Sequence, residues 1–220
     1  MQKIFLSLFL FTFFFGFSQD DLQKYREDQI YFSVYYNSLG GELNNFKENK
    51  FSSSFNLGFI RDIPISKSRK FALGIGLGYG LNSFNNNLLL NNQNSYSLMT
   101  NRALPKKNTF NFSELQLPFE IRWRNSSSTN YKFWRIYFGI KTSYVFSSKH
   151  IFDSSSGKTE LKDLPFNKFQ SGFTLNAGNN TWNLGLYLGL QPILNEDFTK
   201  NYSSIKNIKQ FKVGLVFYVF

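Results

Sequence analysis

Residues 71–81 alternate strictly: Phe71, Leu73, Ile75, Leu77, Tyr79 and Leu81 are large and apolar, while Ala72, Gly74, Gly76, Gly78 and Gly80 are small. A strand sends successive side chains to opposite faces, so this stretch has one greasy face and one nearly bare face. A helix would spread both sets around its circumference. A soluble sheet packs its large residues in a core and shows polar ones to water. A bare face opposite a greasy one instead suits a crowded barrel interior with lipid outside. The stretch predicts a transmembrane β-strand.

The same alternation recurs along the chain. Ile30, Phe32, Val34 and Tyr36 predict a first strand; Phe51, Phe55, Leu57 and Phe59 a second, stopped by Asp62-Ile63-Pro64; residues 71–81 are the third. Leu115, Leu117, Phe119, Ile121 and Trp123 predict a fourth strand, and Trp134, Ile136, Phe138, Ile140, Tyr144 and Phe146 a fifth. Phe169, Phe173 and Leu175 mark a sixth and residues 182–191 a seventh, with a tight turn expected at Ala177-Gly178-Asn179-Asn180. The eighth, ending at Phe220, separates its faces poorly, because Val216 and Tyr218 are as apolar as Phe211 and Leu215. Connections after the second, fourth and sixth strands are short, and those after the odd-numbered strands are longer. The Asn-rich segment 83–108 is read as irregular. Outer-membrane barrels keep short turns in the periplasm and long loops outside. The expectation is an all-β fold, an eight-stranded antiparallel transmembrane up-and-down β-barrel over residues 29–220.

Composition agrees with this. Aromatic residues make up 20% of the 220, with 28 Phe, yet the mean hydropathy is −0.30. Alternating strands hide apolar content from a hydropathy average. Lys3, the apolar run 4–15 and Gly16-Phe17-Ser18 form the pattern of a cleaved signal peptide over residues 1–18, followed by a polar periplasmic lead-in over 19–28. The expected address is the outer membrane. The absence of Cys excludes disulfides, thiolate metal sites and a lipid-anchored Cys. The net charge is +11, but no compact Lys/Arg run of nucleic-acid type occurs; the basic pair Lys106-Lys107 lies inside a loop. Glu114, Glu120, Arg122, Arg124, Arg135, Lys141 and Lys168 all fall on non-greasy positions. They are expected inside the barrel, pairing with one another as a structural plug.

The ordered set resembles the PorT-type outer-membrane β-barrel family of Bacteroidota. The resemblance rests on the Phe-rich leader ending Phe17-Ser18-Gln19, the alternating Gly74 to Gly80, Leu115 to Pro118 leading into Phe119, and the closing run from Phe211 to Phe220. Glu120 departs from the pattern, standing where an apolar residue is common. The resemblance implies the barrel fold, the outer membrane and a link to type IX protein secretion or gliding. It brings no catalytic motif.

The first functional expectation is therefore a non-enzymatic outer-membrane barrel, a scaffold or secretion accessory. Two alternatives stand beside it. A lipid-modifying barrel enzyme would use His150, the single His, with Ser147, Ser148 and Asp153 close in sequence. A narrow small-solute channel would need gaps in the lumen. A soluble carrier of lipocalin type is disfavoured, since strands three and seven would show bare glycine to water. No catalytic, cofactor-binding or metal-binding residue is assigned and no cofactor is expected. Expected partners are outer-membrane lipid and, through the resemblance, secretion-machinery proteins, with no nucleic acid and a monomeric barrel.

Overall fold

The computed structural model describes residues 28–41, 46–48, 50–92, 95–99, 105–125, 134–155, 157–200, 202 and 205–219. The expected signal peptide, and all of the lead-in but Asp28, lie outside these. Eight long strands form the wall: β1 (Gln29–Gly40), β2 (Ser53–Pro64), β3 (Phe71–Asn85), β6 (Lys107–Arg124), β7 (Trp134–Ser154), β9 (Phe169–Asn179), β10 (Trp182–Pro192) and β11 (Lys209–Val219). Each pairs antiparallel with its neighbours in sequence, and β1 pairs with β11, from Ile30 opposite Val219 to Gly40 opposite Lys209. The sheet closes on itself as an eight-stranded up-and-down barrel, which leaves no open edge in the wall.

Side chains sort by parity around the ring. Ile30, Leu57, Leu77, Phe119, Phe138, Leu184 and Leu215 point out and are exposed; Ser33, Asn56, Glu120, Arg122, Tyr137, Asn183 and Lys212 point in and are buried. Water would oppose so continuous an apolar outer surface, while hydrocarbon accepts it. β11 resolves the ambiguity of its sequence. Val216 and Tyr218 face inward and join Tyr31, Tyr35, Ile60 and Tyr137 in a core cluster at mid-lumen. Trp123, Trp134 and Trp182 all lie at the end where the chain crosses by the short connections 65–70, 125–133 and 180–181. Tyr36, Phe51, Tyr144 and Phe169 ring the other end, with Tyr36–Phe51 and Tyr144–Phe169 centroids 5.4 and 5.2 Å apart. Aromatic girdles at both levels mark the two membrane interfaces.

Several boundaries differ from the sequence reading. β2 continues through Asp62, Ile63 and Pro64, because the carboxylate of Asp62 is needed inside and Pro64 is the last residue of its strand. Ala177, Gly178 and Asn179 remain in β9, and the turn is Asn180-Thr181, with Asn180 at φ 55° as a tight hairpin requires. The segment read as irregular holds the rest of β3, the hairpin β4 (Leu88–Asn92) and β5 (Ser95–Leu98), and the start of β6. β7 continues to Ser154 and folds back as β8 (Gly157–Lys162), so this loop is a hairpin standing above the wall. The connection 193–208 carries a short helix, α1 (Glu196–Thr199), capped by the Asn195 side chain, which accepts from the Phe198 N–H at 2.8 Å.

The glycine face of β3 leaves no room for a side chain. Gly76 stands across from Pro118, whose missing N–H interrupts the β3–β6 ladder. A Cβ on Gly76 would come within 2.5 Å of the Phe59 carbonyl oxygen and 2.7 Å of Ile60 Cγ1. The carbonyl belongs to the wall and cannot rotate away. Gly76→Val should lower folding stability by about 1–3 kcal/mol or more. The urea midpoint of the detergent-refolded barrel, followed by its heat-modifiable mobility on a gel, checks this; an unchanged midpoint would contradict the packing.

Candidate functional site

Two structures fill the barrel, and they differ in chemistry. The lower one is ionic. Asp62 of β2 sits between two arginines of β6, with Arg122 Nη1 at 3.1 Å and Arg124 Nη1 at 2.9 Å from its carboxylate. Arg122 also donates from Nε to Glu120 at 3.0 Å and from Nη2 to the Gln29 side chain at 3.0 Å, and its guanidinium stacks 4.4 Å from the Tyr137 ring centre. Arg124 Nε donates to the Arg69 carbonyl at 3.1 Å. Arg122, Arg124 and Arg135 are completely buried. Such burial is tolerated only with this density of partners. One turn of the wall higher, Glu114 accepts from Gln116 at 2.7 Å and Ser143 at 2.8 Å, with Lys212 Nζ 4.0 Å away. Lys212 donates to Asn82 at 2.5 Å, and Lys141 lies 4.7 Å from the Tyr187 ring centre.

Alternation along β6 and β7 therefore brings together Glu114, Glu120, Arg122, Arg124, Arg135 and Lys141 as the sequence predicted. Lys168 is different: it lies one residue before β9 and is exposed at the rim, so it is no part of the plug. Asp62 and Lys212, which complete the network, went unassigned in the sequence because Asp62 was read as part of the stop of the second strand and the two faces of the eighth did not separate. Their inward parity was the available signal. Between the two charged levels is a cavity of about 30 Å³, bordered by Tyr31, Ser33, Glu120, Lys141 and Thr174. It has room for about one or two waters.

The upper structure is an apolar cap made by the loops. Leu39 of β1, Phe84 of β3, Leu88 and Leu90 of β4, Phe110 and Phe112 of β6, Leu164 and Phe166 before β9, and Ile193, Leu194, Phe198, Ile205 and Ile208 before β11 form one buried cluster. Phe110, Phe112 and Phe166 meet edge-on at 5.6–6.0 Å. Asn167 clamps the last connection by donating to the Pro192 and Leu194 carbonyls at 2.9 and 3.1 Å.

His150 belongs to this cap. It lies beyond Phe146, the last exposed apolar residue of β7, and turns inward, 2% exposed. Its Nε2 is 2.5 Å from Asn108 Oδ1, and Asn108 in turn donates to the Asn86 and Leu88 carbonyls at 2.6 and 2.9 Å. Burial pushes the imidazole pKa down to about 4, opposed by a hydrogen bond to the Leu90 backbone. The ring is neutral at pH 7 and ties the β4 strand to the wall. Ser147 points outward, Ser148 accepts from the Leu164 N–H at 2.9 Å, and Asp153 lies opposite Lys107 and Lys158. The structure does not bring the sequence-predicted His, Ser and Asp into one constellation: Ser147 lies on the opposite face of β7 from His150, and Ser148, on the same face, is engaged by the Leu164 N–H. Among the described residues no group of three His, Asp or Glu side chains converges as a metal site.

The family model described as an outer membrane protein beta-barrel domain matches residues 8–195. The chain belongs to this family. This outer membrane protein beta-barrel lies in the outer membrane, with its apolar ring in hydrocarbon. No curated protein sequence matches it. Similar solved structures include Ail, the attachment invasion locus protein of Yersinia pestis, free and in complex with the heparin analogue sucrose octasulfate. The identities are 10% and 11%, the TM-score is 0.42 for both, and each match covers 89% of this chain and 99% of that one.

The ionic level yields a direct test. Asp62→Asn removes the carboxylate that the buried Arg122 and Arg124 share. Breaking a buried pair in this way should cost about 3–5 kcal/mol. The folded, heat-modifiable fraction should fall sharply in urea titrations, and a variant as stable as the parent would show that the Asp62 pairs hold nothing together.

Proposed function

We propose that this outer-membrane barrel is non-enzymatic and non-conducting, and that it works through its closed outer end as a surface scaffold or as an accessory of type IX protein secretion or gliding. The observation that carries the reading is the double closure of the lumen. Paired arginines and carboxylates fill the lower half, and the apolar cap drawn from the loops fills the upper half. A pore needs a continuous wet path, and the mid-lumen cavity, about 30 Å³, has room for about one or two waters. A lipid-modifying site needs a general base at the lipid surface, and His150 is buried in the cap with its Nε2 against Asn108. What is left for a partner is the outer rim. The resemblance of β3, β6 and β11 to PorT-type barrels supports the secretion reading, and the closed, loop-bearing platform suits a protein that docks others instead of passing solutes.

Two measurements test the two parts. Purified protein in planar bilayers should give no step conductance at neutral pH; discrete steps would restore the channel. Deleting the gene should deplete proteins with type IX sorting domains from the medium and accumulate them in the periplasm, with recovery from a plasmid copy. Normal secretion and gliding in the deletion strain would overturn the accessory role.

A further inference from the structure

The outer wall of β2, β3, β6 and β7 changes chemistry row by row. Leu57, Tyr79, Leu115 and Tyr144 are cross-strand partners in one apolar row. The next row outward is Phe55, Leu81, Ser113 and Ser147, and the one after it Ser53, Ser83, Asn111 and Lys149, continued on β8 by Lys162. A further step brings Asn85, Thr109, Ile151 and, on β8, Glu160. Successive rows are about 6–7 Å apart along the strands. A bulge at Ser113–Glu114 leaves both Phe146 and Ser147 exposed and steps the wall at this level. The raised β7–β8 hairpin makes the far side of a cleft of about 620 Å³, bounded below by Phe55 and Leu81 and above by Lys149, Glu160, Lys162 and Asp163.

The two lysines are directly opposite each other, both exposed, and neither forms an ion pair with a described carboxylate. Like charges so placed repel. Glu160 shares the outward face of β8 with Lys162, two residues along, so the cleft holds two positive and two negative groups with hydroxyl and amide side chains beneath them.

We infer that this cleft seats the headgroup of one outer-leaflet lipid that carries both a phosphate and a primary amine. The phosphate lies between Lys149 and Lys162, where it relieves their repulsion and accepts charge-assisted hydrogen bonds. The ammonium reaches Glu160, one row farther from the membrane. The acyl chains descend over Phe55 and Leu81 onto the apolar row below. The order apolar, hydroxyl, lysine, carboxylate follows the order acyl chain, ester, phosphate, amine of such a lipid. Glu160 and Asp163 select against a headgroup that is anionic only, since both would repel it. The inference does not depend on the secretion reading.

Native mass spectrometry of the purified full chain in detergent, with equal amounts of phosphatidylethanolamine and phosphatidylglycerol, tests it. One phosphatidylethanolamine should be retained at least about tenfold over phosphatidylglycerol, a difference of about 1.4 kcal/mol. K149Q/K162Q should lose that adduct, and E160Q/D163N should bring the two lipids to parity. All four side chains are exposed, and Asn tolerates the positive φ of position 163, so heat-modifiable folding should be unchanged in both variants. Equal or reversed retention by the parent would overturn the assignment. So would a lysine double variant with the parent's pattern, an acidic double variant that keeps the preference, or displacement by equimolar free phosphoethanolamine.

Discussion

Space inside an eight-stranded ring is the constraint on which the rest depends. Such a ring encloses little more than one layer of side chains. Here that layer includes Arg122 and Tyr31, long residues that must reach across. They can do so because β2 and β3 oppose them with glycine. A Cβ on Gly74 would lie 2.7 Å from Arg122 Nε, and one on Gly58 2.5 Å from the Tyr31 ring. The bare face of β3 and the charged face of β6 are one device, a hollow and the object that fills it. Removing water from the arginines then obliges the wall to supply acceptors, and the carboxylates of Asp62 and Glu120 and the amide oxygen of Gln29 do so from three strands. The network therefore staples β1, β2 and β6 across the lumen, where backbone hydrogen bonds cannot reach.

The outer half follows a different rule. Beyond the lipid ring the wall continues, since β6 and β7 run to 18 and 21 residues, longer than a bilayer crossing needs. There the inward faces are Phe84, Phe110, Phe112 and Val145, and they would be wet unless covered. Leu88, Leu164, Phe166, Leu194 and Ile205 cover them. The loops are thus held by the ordinary hydrophobic effect, on a foundation that the barrel supplies. His150 and Asn108 are the polar exception within the cap, and their bonds to each other and to backbone carbonyls explain why burial is tolerated.

The membrane half of this arrangement was legible in the sequence because lipid and lumen impose a period of two with no exceptions on β3, β6 and β10. Where a strand leaves the bilayer that period ceases to separate polar from apolar. Ile151 and Phe110 are then no more informative than any loop residue, and the β4–β5 and β7–β8 hairpins were read as irregular. Pro64 and Gly178 misled for a related reason: both are ordinary breakers, yet one ends a strand in sequence with its buried Asp62 and the other fits inside a wall that needs small residues. β11 was ambiguous because its inward Val216 and Tyr218 fill a core with Tyr31 and Ile60, so that both of its faces are apolar for opposite reasons. Of the lumen network, six members could be assigned by parity along β6 and β7, whereas Asp62 and Lys212 required knowing where β2 ends and which face of β11 turns inward. The cleft beside β8 was not legible at all, since Lys149 and Lys162 become neighbours only through a hairpin that the pattern does not announce.

That hairpin also explains why the outer surface is not uniform around the ring. On the β9, β10 and β11 side the wall passes from lipid-facing Phe169 and Phe211 directly to the connections that make the cap. On the β2, β3, β6 and β7 side, small residues at Ser53, Ser83 and Asn111 hold the surface back while β8 rises beside it. A recess at headgroup depth is thus produced by side-chain size, and its charge by two strands that were free to place like charges opposite one another. A ladder inside a soluble sheet would have been under pressure to replace one of the two lysines. Their placement opposite one another in an exposed hairpin is accounted for if the opposing charge comes from the membrane itself. In that case the lipid contributes to the stability of β8, and through Leu161 and Leu164 to the adjoining cap.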